Sequence, residues 1–258
     1  MRLPSIGFIG GGRVATILLG GLAKAGLTLE QVVVADANHD VLARLKERHA
    51  EIEISGDNSL AASREIVFLA VHPPLIADVL AQVGPDLRPD AILVSLAPKF
   101  TIDRLSQLLN GFGRIARMIP NAPSIIGAGY NPIAYADSLS ASDRQSLGAV
   151  LGALGECFET AESKLEAYAL ITAMGPTYFW FQLRELISLA ESFGMTPEEA
   201  TSGVCNMLQG AAQTMSESGL SPDDVIDLIP VKPLAELEAT ITEAYRDKLT
   251  GLLQKIRP

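Results

Sequence analysis

The sequence predicts an α/β protein in which a doubly wound, mostly parallel sheet is followed by an all-helical region. Short apolar runs alternate with helical patterns in the first part, which is typical of a sheet built from strand–helix units. From about residue 160 the apolar runs give way to amphipathic helical patterns with clear start signals. We therefore predict two domains, one over residues 1–160 and one over residues 161–258.

Five segments are predicted strands because they are short, rich in β-branched residues and apolar at successive positions. Such strands suit a parallel sheet that is covered by helices on both faces. The segments are residues 5–10, 31–36, 65–71, 91–97 and 114–119. Helical patterns lie between them, at Val14–Lys24, Val41–His49 and Leu75–Gln82.

The second part contains two helix-start signatures and a long apolar stripe. Each signature has a hydroxyl N-cap, a proline at the next position and an acidic residue three positions after the cap. They are Thr196, Pro197 and Glu199, and Ser221, Pro222 and Asp224. The stripe of the last predicted helix consists of Leu234, Leu237, Ile241, Leu249 and Leu252. So much apolar surface predicts a subunit interface or packing on the first domain.

Composition narrows the classes of function and location. The net charge of −10 argues against nucleic-acid binding through a general basic surface. Cys157 and Cys205 lie far apart without metal-ligand spacing, so we expect no metal site and reduced thiols in a cytoplasmic protein. We expect neither a signal peptide nor a membrane span, since no apolar run reaches the roughly 20 residues that a span needs.

A glycine motif predicts where a cofactor binds. Gly10, Gly12 and Ala15 form the pattern G-x-G-x-x-A between a predicted strand and a predicted helix. Gly10 allows a tight turn, Gly12 lets a diphosphate approach the backbone, and Ala15 keeps the helix close to the strand. The free N–H groups at the helix N-terminus attract phosphate. A plain glycine turn is the alternative interpretation of this motif taken alone.

Asp36 strengthens the prediction of a dinucleotide site. It ends the second predicted strand, where an acidic residue accepts hydrogen bonds from the adenosine ribose. A helix-capping role before the next helix is the alternative. Because its charge would repel a 2′-phosphate, Asp36 slightly favours NAD(H). Arg13 in the glycine loop could instead reach that phosphate, so both NADP and NAD stay open as cofactors.

Several segments resemble the pyrroline-5-carboxylate reductase family from about residue 5 to about residue 226. The most specific is Arg117–Gly129, which resembles that family's R-x-M-P-N-x-P-x-x-x-G-x-G stretch. The others are IGFIGGGRVATILLGGLAKAG, DNSLAASREIVFLAVHPPLIADVL, ILVSLAP and AYALITAMGPTYFWFQLREL. The resemblance implies an N-terminal Rossmann domain and a C-terminal helical domain that forms a homodimer. It also implies hydride transfer to the C=N carbon of a small cyclic imine, as in proline biosynthesis.

The resemblance further implies which residues contact the cofactor. Gly10, Gly12, Arg13 and Val14 would line the diphosphate, and Asn58 would contact the adenosine side. Ala70, Val71, His72 and Pro73 would border the nicotinamide ribose. Ala97 and Asn121 would lie near the nicotinamide.

The substrate half departs from the family pattern. The family's SPGGTT segment is replaced by DLIPVKPLAEL at residues 227–237, which lacks its glycines and hydroxyls and gains prolines. Lys232 could supply a positive charge to a substrate carboxylate, or it is an ordinary surface lysine. The sequence therefore also allows a paralogous reductase with a different imine or carbonyl substrate, or a non-enzymatic dinucleotide-binding protein.

Two residues are candidates for catalysis. Tyr178 could donate a proton or position the substrate, or it is an aromatic of a helix interface, as its neighbours suggest. His72 stands where a predicted strand ends, the edge at which open sheets bind ligands. A solvated or packed histidine is the alternative for His72.

Overall fold

The computed structural model describes residues 4–257, and the first of its two compact units contains an eight-stranded sheet. The strand order is β3-β2-β1-β4-β5-β6-β7-β8, and all neighbours are parallel except the antiparallel pair β6 and β7. This confirms the predicted doubly wound, mostly parallel sheet. The strands are β1 Ile6–Ile9, β2 Val32–Ala35, β3 Glu53–Ser55, β4 Ile66–Leu69, β5 Ile92–Ser95, β6 Ile115–Met118, β7 Gly129–Tyr135 and β8 Gly155–Glu159.

Helices of the first unit cover both faces of this sheet. One buried cluster joins α1, α2 and α6 to side chains such as Phe8 and Phe68, whose rings stack with centroids 4.9 Å apart. A second cluster joins α3, α4 and α5 to the opposite face. The helices are α1 Arg13–Lys24, α2 His39–Arg48, α3 Asn58–Ala62, α4 Ile76–Val83, α5 Ile102–Leu108, α6 Ala141–Leu151 and α7 Leu165–Tyr168, and a π-helical turn follows at Ala169–Ala173.

Three strands escape the sequence prediction because none of them is a continuous apolar run. β3 has three residues and no buried side chain. β7 contains Asn131 and Pro132, and β8 contains Glu156 between half-buried neighbours. Each is recruited by pairing with a neighbouring strand and not by its own hydrophobic pattern.

The second unit, Met174–Leu252, is helical as predicted. Both predicted N-caps form: Thr196 Oγ1 accepts the N–H of Glu199 at 3.3 Å, and Ser221 Oγ accepts the N–H of Asp224 at 3.2 Å. The last helix begins later than predicted, at Glu238, so Leu234 and Leu237 precede it. The domain boundary predicted after residue 160 stays a prediction. The helices are α8 Pro176–Ser192, α9 Pro197–Glu217, α10 Pro222–Asp227 and α11 Glu238–Ile256.

Large apolar side chains of the second unit remain exposed in the single chain. No residue of α8 is buried, and Phe181 is 66% exposed. Other exposed members are Phe179, Trp180, Phe193, Met207, Ile226, Leu228, Ile229, Val231 and Ile241. Among the helices described between residues 4 and 257, none combines the length and apolar character needed to cross a bilayer.

Candidate functional site

A cleft of about 470 Å³ opens where β1, β4 and β5 end. In open α/β sheets ligands bind beyond the carboxyl ends of the strands. They bind at the point where the strand order reverses, next to a strand whose two neighbours are reached by connections that run in opposite directions. β1 is such a strand, since it lies between β2 and β4. The cleft is lined by the glycine loop, by α2, and by the residues that follow β4 and β5; these include Gly12, Arg13, Val14, Arg44, Arg48, Ala70, Val71, His72, Pro73, Ala97 and Pro98.

The glycine loop is shaped by a close approach to the end of β4. Gly10 has a φ of +102°, and a Cβ at this position would lie 2.7 Å from the carbonyl oxygen of Ala70. Only glycine tolerates that conformation and that contact. Gly12 is different, because a Cβ there would meet no atom within 4 Å. It is the N-cap of α1, and no side chain caps the helix. The first-turn N–H groups of α1 are therefore available to an anion.

Asp36 ties this loop to the turn before α2. Its Oδ2 accepts the N–H of Gly11 at 2.7 Å, and its Oδ1 accepts the N–H of Asn38 at 2.8 Å. The N-cap of α2 is Asn38, whose Oδ1 accepts the N–H of Asp40 at 3.0 Å. The alternative helix-capping role for Asp36 is therefore wrong. Its predicted contact with the ribose stays a prediction.

The far wall of the cleft is the segment after β5. Ala97 is buried, and Lys99 has a φ of +75°, a backbone angle that residues other than glycine rarely adopt. The N–H of Lys99 donates to Glu166 Oε1 at 3.3 Å, and that of Ile102 donates to Glu162 Oε1 at 2.7 Å. Two carboxylates from the segment around α7 thus hold this loop in place.

A buried arginine holds both of those carboxylates. Arg117 on β6 is 1% exposed; its Nη1 lies 2.8 Å from Glu162 Oε1 and its Nη2 lies 2.6 Å from Glu166 Oε1. We call Arg117, Glu162 and Glu166 the carboxylate clamp. Sequence reasoning missed its function, although an arginine inside an apolar strand is itself a signal of a buried pair.

Asn121 is fixed by hydrogen bonds within the first unit. Its Oδ1 accepts the N–H of Tyr130 at 3.1 Å, and its Nδ2 donates to the carbonyl oxygen of Thr172 at 3.4 Å. Thr172 belongs to the π-helical turn, and such turns are frequent at functional sites. The side chain of Asn121 therefore joins the loop after β6 to that turn. Its position near the nicotinamide stays a prediction.

The structure brings together most, but not all, of the predicted cofactor residues. Gly12, Arg13, Val14, Ala70, Val71, His72, Pro73 and Ala97 line the one cleft. Gly10 is buried beneath it, and Asp36, Asn58 and Asn121 are not among its lining residues. His72 is exposed, and its side chain does not cap the helical turn that follows it. Among the lining residues that were not predicted are two charged ones, Arg44 and Arg48; their spacing of four on one helix face was the available signal.

The predicted substrate residues lie in the second unit. Tyr178 is in the first turn of α8, and its ring meets that of Tyr245 edge-on at 5.8 Å. Burial, and to a lesser degree Tyr245, raises the pKa of the Tyr178 phenol. Lys232 Nζ lies 3.9 Å from Asp227 Oδ1. Within residues 4–257 no group of three or more His, Cys, Asp or Glu side chains is arranged to hold a metal ion.

Two family models match the chain. "NADP oxidoreductase coenzyme F420-dependent" covers residues 5–99, and "Pyrroline-5-carboxylate reductase dimerisation" covers residues 162–232. A pyrroline-5-carboxylate reductase from Pseudomonas aeruginosa is 26% identical over 256 residues, which are 99% of this chain and 93% of that protein. The chain is similar to pyrroline-5-carboxylate reductases over nearly its whole length. A pyrroline-5-carboxylate reductase from Escherichia coli is likewise 26% identical, over 87% of this chain and 84% of that protein.

Solved structures of the family share this fold. A Plasmodium falciparum pyrroline carboxylate reductase with NADP bound has a TM-score of 0.81 at 19% identity, covering 99% of this chain and 96% of that one. A pyrroline-5-carboxylate reductase from Coxiella burnetii has a TM-score of 0.72 at 25% identity, covering 99% and 95%. These likenesses confirm the predicted combination of a Rossmann domain and a helical domain.

Proposed function

We propose that this chain is an NAD(P)H-dependent reductase that transfers hydride to the C=N carbon of a small cyclic imine, the type of reaction that forms proline. One observation carries the proposal: a single cleft joins an uncapped helix N-terminus to the ends of β4 and β5. That arrangement accepts a dinucleotide, and the relatives that match nearly the whole chain are named pyrroline-5-carboxylate reductase.

The residues of the cleft fit a nicotinamide dinucleotide, NADP or NAD. The backbone at Gly12, Arg13 and Val14 would hold the diphosphate, because space around Gly12 is open and the N–H groups there are free of a capping side chain. Val71, Pro73 and Ala97 would form an apolar wall on the nicotinamide side and exclude water. The bound cofactor supplies the hydride, while the protein orients it and shields the reaction.

In this proposal Tyr178 and Lys232 serve the substrate. A tyrosine phenol carries its proton at neutral pH, and burial raises the pKa of Tyr178 further, so this phenol can donate a hydrogen bond or a proton. Lys232 would provide a positive charge for a substrate carboxylate, and its Nζ lies 3.9 Å from Asp227 Oδ1. His72 would act at the mouth of the cofactor cleft, where its side chain is exposed.

We also infer a homodimer in the cytoplasm. The exposed apolar side chains of α8 and of residues 226–241 are too many for a surface facing water alone. A second copy covering them agrees with the dimerisation model that matches residues 162–232. The cytoplasmic location rests on two cysteines that are free, one half-buried and one exposed.

One assay tests the reaction. The protein is mixed with pyrroline-5-carboxylate and either NADH or NADPH, and the loss of reduced-nicotinamide absorbance is followed. We expect turnover with at least one cofactor and a higher KM for the imine in Lys232→Met. Binding of cofactor without turnover on any of a broad imine and carbonyl panel would contradict the reductase proposal and favour the non-enzymatic alternative.

A second candidate function is reduction of a bulkier or less acidic imine or carbonyl compound. The observation that favours it is the character of residues 227–237: Leu228, Ile229 and Val231 are 55%, 68% and 73% exposed, and Pro230 and Pro233 have no N–H to donate. Turnover of an apolar cyclic imine in the same assay, with none of pyrroline-5-carboxylate, would support this candidate.

A further inference from the structure

The carboxylate clamp is buried more deeply than other ion pairs of the first unit. Arg117 and Glu166 are 1% and 4% exposed at the side chain. Arg117 Nε is buried as well and makes no hydrogen bond within residues 4–257. Taking paired charges out of water is costly, and well-packed apolar side chains often stabilise a core equally well. Stability alone therefore does not explain the clamp. The more exposed arginine–carboxylate pairs, at least 18% exposed on both members, involve Arg64, Arg88, Arg114 and Arg144.

The clamp has a second set of partners, which are backbone N–H groups of the loop after β5. Glu166 Oε1, which binds Arg117, also accepts the N–H of Lys99 at 3.3 Å. Glu162 Oε1, which binds Arg117 as well, accepts the N–H of Ile102 at 2.7 Å. One oxygen atom of each carboxylate is thus shared between a buried cation and the loop. Because the guanidinium fixes both oxygen atoms, it also fixes where the loop lies.

The loop held in this way has an unfavourable backbone conformation. Lys99 is exposed and has a φ of +75°. That angle is costly for a residue with a Cβ and persists only where surrounding contacts impose it. The residues immediately before Lys99, at positions 96–98, line the cofactor cleft. Strain of this kind is typical of sites where a wall must be held in one position.

The segment that carries Glu166 also holds the loop after β6. α7 continues directly into the π-helical turn Ala169–Ala173. In that turn the carbonyl oxygen of Thr172 accepts a hydrogen bond from Asn121 Nδ2 at 3.4 Å. One short segment therefore binds both loops whose residues are predicted to lie near the nicotinamide.

We propose that Arg117 and Glu166 are positioning residues that orient the nicotinamide ring, acting through the loop after β5. Neither of them, nor Glu162, is among the lining residues of the cleft, so they act through the backbone and not by contact with the cofactor. Residues 96–98 form part of the wall that the ring meets, and the clamp keeps this wall in place. The inference rests on the proposed function and deepens it. The diphosphate and adenosine end of the cofactor, which the glycine loop would hold, should not depend on the clamp.

The test compares each reduced cofactor with the matching fragment that lacks nicotinamide. Kd values are measured by calorimetry for NADH against ADP-ribose and for NADPH against 2′-phospho-ADP-ribose, in the wild type and in Glu166→Gln. The glutamine keeps the size of the side chain but loses the charge that binds Arg117. We expect Glu166→Gln to raise the Kd of the cofactors about tenfold and the Kd of the fragments less than about twofold. Glu159→Gln is the matched control, because it breaks an exposed ion pair away from the cleft.

A rescue experiment separates positioning from general stability. Glycine adopts a positive φ at little cost, so Lys99→Gly should let the loop keep its conformation with a weaker clamp. In the Glu166→Gln background it should restore the cofactor Kd to within about threefold of the wild type. Lys99→Gln removes the same charge but keeps the Cβ, so it should restore nothing. With pyrroline-5-carboxylate as substrate, kcat should fall in Glu166→Gln and recover with Lys99→Gly, while the KM for the imine changes little.

Three outcomes would overturn the inference. Equal loss of affinity for cofactors and fragments would mean that the clamp supports the unit as a whole, and unchanged Kd values would mean that it does not act on the cleft. Rescue by Lys99→Gln as well as by Lys99→Gly would assign the effect to charge and not to the backbone. Where Glu166→Gln does not fold, Glu162→Gln makes the same comparison through Ile102, with the same expected direction. A protein that shows the expected split but reduces no imine would disprove the proposed reaction and leave the positioning role intact.

Discussion

At the scale of single residues, two glycines of one loop have different physical tasks. Gly10 is required by its backbone, with a φ of +102° and the carbonyl oxygen of Ala70 beside it. Gly12 has an ordinary φ of −69° and open space around it. Folding therefore needs glycine at position 10, whereas ligand approach is the only evident need for glycine at position 12.

Gly12→Ala should separate stability from binding. The added methyl group meets no protein atom within 4 Å, so the melting temperature should change little. It would occupy the approach of the diphosphate, and we expect the Kd for both cofactors to rise at least about tenfold. Thermal unfolding with calorimetric titration checks both points. Gly10→Ala is the contrasting control, expected to lose stability first; an unaltered cofactor Kd in Gly12→Ala would contradict the site.

Tyr178→Phe tests the hydroxyl that the proposal assigns to the substrate. The pKa of the Tyr178 phenol is raised, so the phenol is protonated at every pH below that pKa. Its contribution to catalysis is therefore present at neutral pH and is lost only in strong alkali. We expect kcat to fall by about 10²-fold if the hydroxyl donates the proton. Tyr245→Phe, which keeps the ring contact, should retain activity. Full activity of Tyr178→Phe on an identified substrate would exclude catalysis by this hydroxyl.

At the scale of elements, the carboxylate clamp links β6, the loop after β5 and the segment around α7. Arg117 is almost fully enclosed, Glu166 is 4% exposed and Glu162 is 31% exposed at the side chain. The two carboxylates accept hydrogen bonds from the backbone N–H groups of Lys99 and Ile102. The loop that forms the far wall of the cleft is therefore positioned by charge from two other elements.

Breaking the clamp should affect stability more on its buried side. Glu166→Ala leaves Arg117 without its nearest buried partner and should lower the free energy of unfolding by about 3–5 kcal/mol. Glu162→Ala should lower it less, because water reaches that carboxylate. Urea unfolding of both variants measures the difference. Equal, small losses in the two variants would mean that the clamp contributes little to the fold.

At the scale of the whole molecule, the two units differ in how completely the single chain buries its apolar side chains. The first unit encloses two hydrophobic clusters, one on each face of the sheet. In the second, α9 has one buried residue, Ala200, and α8 has none. Apolar side chains exposed to this extent indicate a surface that a partner covers, and the second copy in the proposed homodimer provides that cover.

Phe181→Glu should weaken the proposed dimer. Phe181 is 66% exposed in the single chain, so a charge there costs nothing until a second copy covers it. We expect sedimentation of the wild type as a dimer and of the variant as a monomer at micromolar concentration. Glu185→Gln, on an exposed position of the same helix, is the control. A wild type that sediments as a monomer would contradict the dimer directly.

Much of the fold and part of the site could be predicted from local pattern. Continuous apolar runs identified β1, β2, β4, β5 and β6, and capping signatures identified the starts of α9 and α10. Their signals lie within a few residues of chain, where spacing and side-chain type decide the structure. β3, β7 and β8 lack such local signals, because these strands form only by pairing with a neighbouring strand.

The sequence by itself determined the α/β class, the glycine loop and the likeness to pyrroline-5-carboxylate reductases. The tertiary structure alone decided that Asp36 binds the backbone of Gly11, that Arg117 holds Glu162 and Glu166, and that Arg44 and Arg48 share a cleft with Gly12. The physical reason is range. Hydrophobic periodicity and helix caps act between near neighbours along the chain. The charges of Asp36 and Arg117 instead meet partners 25 to 49 residues away, and they do so only once the chain has folded.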